Sequence, residues 1–216
     1  MAENPILWSP GKERAQQSAM YQFMKGLDFD SFDDLYQWSL NNTPEFWQAL
    51  CDFSEVDFSK KATAVLNQPG DMTTAKWFDD AELSFPGHVM RHSGSRAAII
   101  FRGENGTRRE LSFDELRLQV AGIAAGLRSA GVVKGDRVTG FMPNCPEAII
   151  AMLGATSIGA IWSSCSPDFG INGVVDRFGQ IEPKVLFCAD GYFYNGKRFD
   201  SLPAVGGVLD KIASIE

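Results

Sequence analysis

The spacing of apolar residues divides the chain near position 94. Ahead of it, hydrophobic residues come in short bursts at helical spacing, separated by polar, turn-rich stretches. In TPEFWQAL, Phe46, Trp47 and Leu50 form a stripe at i, i+1 and i+4. Thr43 ahead of them is a good N-cap, Pro44 suits the first helical position, and Glu45 complements the helix dipole. Ser31 and Asp34 resemble a capping box ahead of Leu35 and Trp38. Helices this short are marginal alone and must pack against something larger. Residues 67–74 (NQPGDMTT) read as a turn-rich connector. Residues 1–93 are therefore expected to be a helical extension with irregular joints. It is rich in tryptophan, holding Trp8, Trp38, Trp47 and Trp77 of the five in the chain.

Beyond that point the rhythm changes. RAAIIF and TRRELSF flank Gly103-Glu104-Asn105-Gly106, which predicts a β-hairpin. Ser112 and Glu115 make a capping box for a helix with Leu116, Val120, Ile123, Ala124 and Leu127 on one face, ending at Ala130-Gly131. The chain then alternates: DRVTGFM as strand, PEAIIAMLGATSIG as helix, AIWSS as strand, GVVDRFGQI as helix, KVLFCA as strand. A further helix starts near Val205. Alternation with short connections implies right-handed crossovers and a parallel sheet. The fold class is α/β: a helical extension, a hairpin, then βαβαβ. Gly154, Ala155 and Gly159 would let the intervening helix sit close to that sheet.

Composition narrows the possible roles. With 44% hydrophobic and 22% charged residues, the chain is of globular rather than disordered type. A net charge of −7 argues against non-specific nucleic-acid binding, which needs a basic face. No apolar run reaches the roughly 18 residues needed to span a bilayer, and the N-terminus lacks a signal-peptide pattern, so a cytoplasmic location is expected. Cys51, Cys145, Cys165 and Cys188 are too scattered for a zinc site or disulfide framework and read as buried free thiols.

In such a sheet, ligands bind outside the carboxyl ends of the strands. Two stretches leave strands there: Ser163 to Gly170 (SSCSPDFG) and Ala189 to Lys197 (ADGYFYNGK). If their strands are neighbours, the first offers hydroxyls and free backbone N–H groups, and the second a lysine on a Gly-flanked arm. An anionic group such as a phosphate could be held between them. Packed aromatics and a solvated Lys197 are the alternative. His88 and His92 are four apart, but Val89 stands where a zinc-protease helix needs Glu, and no third ligand is evident, so no metal is expected. Asp33-Asp34 and Asp79-Asp80 read as caps or solvated faces. Gly-rich phosphate loops, dinucleotide fingerprints and nucleophile elbows are all missing, so residue chemistry alone indicates no catalytic constellation.

GVVKGDRVTGFMPNCPEAIIAMLGATSIGAIWSS resembles the adenylate-forming acyl-CoA synthetase superfamily, with its GDRV strand, Pro-x-x-Pro-Glu helix start and small-residue-rich helix. RELSFDEL is similar to the Thr-Tyr-x-Glu-Leu segment of that superfamily. WFDDAELSF resembles the opening segment of acetyl-CoA-synthetase-like members, with Ser84 where Asn is usual. Ser163 to Lys197 resembles most closely the branch that acts on acetoacetate. The resemblance implies a ligase that uses ATP and Mg²⁺ to form an acyl-adenylate and passes the acyl group to CoA. It implies that residues 94–216 are the first part of an AMP-binding-type domain. The ATP loop, acyl pocket and adenylation lysine would then lie beyond Glu216, leaving no catalytic residue here and the isolated chain inactive. It also places Tyr194 and Lys197 where two arginines of acetyl-CoA synthetases meet the CoA 3′-phosphate, and Ser166, Asp168, Phe169 and Gly170 on the CoA side. Ligases for acetate, propionate or butyrate, and a non-catalytic assembly module, are the competing readings.

Overall fold

Side-chain caps set where several of the helices begin. The computed structural model of the chain describes residues 5–68 and 70–216. They form two units, one reaching Leu83 and the other running from Ser84 to Glu216, so the division falls ahead of the 93/94 boundary expected from the pattern.

The first unit opens with α1 (Lys12–Gln16), α2 (Ala19–Gly26), α3 (Phe32–Asn41) and α4 (Thr43–Phe53). Ser31 caps α3 by accepting from the Asp34 N–H at 3.1 Å, as its spacing predicts. Thr43 is not a cap: α4 begins one residue earlier than expected, Asn42 stands at its N-cap, and the Thr43 hydroxyl donates back to the Ser39 carbonyl. Phe23, Met24 and Leu35 form the buried centre, surrounded by Trp38, Phe46 and Leu50. Phe23 meets Phe53 edge-on at 5.2 Å, a geometry that favours aromatic pairs.

The segment after α4 departs from the expected irregular joints. Strands β1 (Phe58–Lys60) and β4 (Glu82–Leu83) pair antiparallel around a second pair, β2 (Ala64–Asn67) and β3 (Lys76–Asp79). These strands are too short to show alternation, and their pairing is settled by contacts such as Asn67 donating to Asp79 at 2.7 Å. Trp47 of α4 packs against Trp77 of β3 at 5.6 Å. The connector 67–74 joins the two inner strands, with Pro69 outside the described residues.

The second unit begins with α5 (Phe85–Val89), capped by Ser84, whose oxygen accepts from the Gly87 N–H. The predicted hairpin follows as β5 (Ala97–Arg102) and β6 (Arg108–Ser112). Next come α6 (Phe113–Ser129), β7 (Arg137–Phe141), α7 (Pro146–Ser157), β8 (Ile161–Cys165) and α8 (Ile171–Phe178). The chain continues through β9 (Val185–Cys188), β10 (Gly191–Tyr194), β11 (Lys197–Asp200) and α9 (Leu202–Leu209). The Ser112–Glu115 capping box is complete, with the Ser112 N–H donating to Glu115 at 2.8 Å. The far end of α6 closes as expected, the Val132 N–H reaching the Leu127 carbonyl and the Gly131 N–H reaching Arg128.

The parallel sheet has the order β8-β7-β9. The connection from β7 to β8 runs one way and that from β8 to β9 runs back past β7. Right-handed crossovers therefore place their helices on opposite faces. Val138 faces Leu127 of α6 and Ala155 of α7, while Phe141 faces Val174 and Phe178 of α8 and Val208 of α9. Arg137, the arginine of GDRV, donates to the carbonyls of Ile181 (2.6 Å) and Glu182 (2.8 Å), tying the start of β7 to the turn that leads into β9. Trp162 of β8 lies across Gly140, where a Cβ would come within 2.6 Å of its ring.

Gly154 does a different job from the one expected. A Cβ there would sit 2.4 Å from Ile123 Cγ2, so the missing side chain lets α7 approach α6 rather than the sheet. Gly159 likewise faces the Lys134 side chain. Among the described residues, no helix is long and apolar enough to cross a membrane.

Two consequences can be measured. Gly154→Val should overpack the α6–α7 contact and lower stability by about 1–3 kcal/mol in thermal or denaturant unfolding; an unchanged midpoint would place that contact elsewhere. The N–H and hydroxyl of Ser112 hold the Glu115 carboxyl below its ordinary range. A depressed carboxylate adds stability above its unfolded pKa and loses it as pH falls through the folded value. The Tm deficit of Glu115→Ala should thus be largest near neutrality and shrink on acidification through the carboxylate range.

Candidate functional site

Beyond β9 the chain does not run out as a loop. Residues 191–200 form a β-hairpin, with Gly191 opposite Asp200, Tyr192 opposite Phe199, Phe193 opposite Arg198 and Tyr194 opposite Lys197. Asn195 (φ 50) and Gly196 (φ 71) make the turn, the left-handed pair that a two-residue hairpin with matching twist requires. The expectation of Lys197 on a Gly-flanked loop arm is corrected accordingly: Lys197 opens β11, its position fixed by cross-strand pairing. Gly191 is pressed against the partner strand, since a Cβ would fall 2.4 Å from the Phe199 carbonyl oxygen. At the base, the Ser201 N–H bonds the Asp190 carbonyl (3.0 Å), and the Leu202 N–H bonds the Asp200 carboxylate (3.0 Å).

The aromatic residues divide their work. Tyr192 stacks on Phe199 at 5.2 Å and 16°, which stiffens the hairpin. Phe193 and Tyr194 remain exposed, Tyr194 at 62%. Tyr194 and Lys197 thus stand side by side at the turn end, one offering a phenol and an aromatic face, the other a cation.

The stretch following β8 is separate. β8 and β9 are not neighbours; each pairs with β7, so SSCSPDFG and the hairpin leave the sheet on either side of the central strand. Ser163 to Cys165 belong to β8, and Ser166 to Gly170 form the connection. Its Phe169 N–H bonds the Ser166 carbonyl (3.2 Å), and Asp168 is exposed. Gly170 is the N-cap of α8 and has no side chain to satisfy its first N–H groups. The Arg177 guanidinium sits 4.3 Å from the Phe169 ring, a cation–π contact that explains an aromatic at this exposed position. Burial pushes the Cys165 thiol up, with Arg177 opposing, so this thiol has no activated character.

Two cavities flank the residues that follow β7. One, about 480 Å³, is lined by Arg102, Glu104, Pro143, Asn144, Tyr192 and Phe193. The other, about 290 Å³, is lined by Pro143, Asn144, Trp162, Cys165 and Ser166. Pro143 and Asn144 form a shared wall. The structure therefore brings the hairpin to one cavity and Ser166 to the other, across that wall from each other. The first cavity recruits the tip of the β5–β6 hairpin, whose Glu104 accepts weakly from the Gly196 N–H at 3.4 Å. Arg102 and Glu104 escaped the sequence reading because no local signal ties them to a turn so distant along the chain. The hairpin itself had a signal, Asn195-Gly196 between two aromatic-rich runs.

Other expectations resolve simply. His88 accepts from Arg91 (3.3 Å), and His92 packs edge-on against Phe113 (5.2 Å). Among the described residues, no group of three or more His, Cys, Asp or Glu could hold a metal ion. All four cysteines are free, but only Cys165 is buried: Cys51 and Cys145 are half-buried, and Cys188, at the end of β9, is exposed.

Comparison with known proteins agrees with this architecture. Residues 86–214 match the family described as AMP-binding enzyme, and residues 32–85 match the acetyl-coenzyme A synthetase N-terminus. The acetoacetyl-coenzyme A synthetase of Rhizobium meliloti (strain 1021) is 44% identical over 92% of this chain and 31% of its own. That of Macaca fascicularis is 36% identical over 99% of this chain and 33% of its own. The solved acetoacetyl-CoA synthetase from Streptomyces lividans superposes with a TM-score of 0.89 at 35% identity, covering 99% of this chain and 34% of that one. The chain thus spans about a third of the length of the relatives it matches.

Gly191→Val should break the hairpin register. The measurable result is faster proteolysis after Lys197 and Arg198, with the far-UV spectrum of the remaining helices preserved; unaltered cleavage would show that the close approach at Phe199 is not required.

Proposed function

Because the chain belongs to the AMP-binding enzyme family, we propose that it forms part of an acid–CoA ligase that activates acetoacetate with ATP as an acyl-adenylate and then transfers the acyl group to CoA. The observation that carries this reading is the match, along nearly all of the chain, to relatives named acetoacetyl-CoA synthetases. Within that ligase, the β10–β11 hairpin is the CoA-side element. Lys197 supplies a point charge for a phosphate, and Tyr194 a hydroxyl donor and a stacking face. Ser166, Asp168, Phe169 and Gly170 border CoA from beyond the Pro143–Asn144 wall.

ATP, Mg²⁺ and CoA are the cofactors and co-substrates of the proposed reaction. Among the described residues no group of three or more His, Cys, Asp or Glu could hold a metal ion. Their contribution is binding and orientation. A lysine and a tyrosine fixed on paired strands lose less freedom on meeting a ligand than the same groups on a loose arm. The residues described here include no nucleophile or base constellation, and the 216-residue chain alone neither adenylates an acid nor binds ATP tightly. The acid is read from kinship, since the residues near the hairpin lie on the CoA side.

The deciding experiment measures pyrophosphate release by a protein of the relatives' full length that carries this sequence, with ATP, CoA and one of acetoacetate, acetate, propionate or butyrate. Preference for acetoacetate supports the reading, and preference for another acid replaces the substrate while keeping the family. In the same protein, Lys197→Ala should raise the KM for CoA about tenfold at low salt with kcat little changed, the pattern of a lost binding contact. An unchanged KM would remove Lys197 from the CoA site. Pyrophosphate release by the 216-residue chain alone would overturn its assignment as non-catalytic.

A further inference from the structure

A further cavity, lined by arginines, lies in the second unit between α5, α6 and the end of α7, and shares none of the residues assigned to CoA. Its volume is about 490 Å³, within the range of small-molecule sites. The floor is apolar and small, with Val120, Ala121 and Ala124 of α6. Three arginines line it, Arg91, Arg117 and Arg128, and no carboxylate does. In a chain of net charge −7, no acid stands among the residues that line this cavity.

Helix geometry explains the arrangement. Arg117, Ala121, Ala124 and Arg128 are spaced at i, i+4, i+7 and i+11, which puts them along one face of α6. The two alanines leave a trough, and an arginine stands at each end of it, roughly 16 Å apart along the axis. Arg117 donates one N–H to the Met90 carbonyl, which fixes its guanidinium at the wall and leaves further donors. Arg91 is oriented by His88, to which it donates. Ser157 adds a hydroxyl at the rim, itself donating to the Gly154 carbonyl.

We propose that this cavity binds a small amphipathic anion, a molecule with a phosphate or carboxylate head and a short apolar body. The head bonds Arg128, whose planar fork matches either oxyanion, and Arg117 at the far end of the trough adds its positive field. The body lies on the Ala121–Ala124 floor, where removing apolar surface from water adds to the binding. Neither half suffices: an exposed charge contact is screened by salt, and an apolar floor of two alanines is small.

Calorimetric titration of the 216-residue chain at low salt tests the site, using hexyl phosphate and hexanoate as the two head-group probes and inorganic phosphate and hexanol as single-feature controls. Saturable binding of hexyl phosphate or hexanoate, weakened about tenfold by Arg128→Gln and abolished by Ala121→Glu, is the expected result. Which of the two probes binds more tightly identifies the head group. Inorganic phosphate should bind at least tenfold more weakly, and hexanol not measurably. If Arg117→Gln unfolds the α5–α6 contact, Arg128→Gln decides, because among the described residues the Arg128 side chain makes no hydrogen bond or ion pair to a neighbouring element. The proposal is overturned if neither amphipathic probe binds the wild-type chain. Binding that survives both Arg128→Gln and Ala121→Glu, or equal binding of hexanol, overturns it as well.

Discussion

The two-sided pairing of β7 is the constraint on which the second unit rests. A central parallel strand has no free edge and must bury both faces, so its sequence cannot carry charge beyond its first residue. Arg137 satisfies that condition by turning its guanidinium onto the carbonyls of the α8–β9 turn, and Thr139 by bonding the Val185 carbonyl. From there the direction of each crossover decides which helices cover which face. The carboxyl end of the same strand then supplies Pro143 and Asn144, the wall between the two cavities. A motif that reads as a family signature is thus, in this chain, a packing device that sets the site's geometry at a distance.

Much of this was legible because it is written at short range. The Ser112–Glu115 box, the hairpin over 97–112 and the stripe from Leu116 to Leu127 each depend on residues a few positions apart, and each formed as its pattern predicts. What could not be read depends on partners far along the chain. β1 and β4 are too short for alternation and exist because they meet each other. The order β8-β7-β9 is invisible to periodicity, so the two ligand-edge stretches could be expected as neighbours when a strand separates them. Gly154 was rightly marked as a close-approach residue, but its partner, Ile123, belongs to a helix rather than the sheet.

The hairpin over 191–200 is the instructive middle case. Its turn signal is local and strong, yet the roles of the aromatic residues ahead of the turn depend on the strand that pairs with them. Alternation assigns Tyr192 to Phe199 and leaves Tyr194 beside Lys197. A cation held on a strand and a cation on a loop have the same formula and different consequences, because the ordering of the strand is completed on folding rather than on binding.

Trp162 carries one more consequence. The other four tryptophans of the chain lie at or before Trp77, so the indole spread over Gly140 stands alone in the second unit. With Trp8, Trp38, Trp47 and Trp77 replaced by phenylalanine, the intrinsic fluorescence of the chain becomes an optical signal from the face of the central strand alone. Loosening of the parallel sheet would then be visible as a red shift in emission, whatever the helices of the first unit are doing.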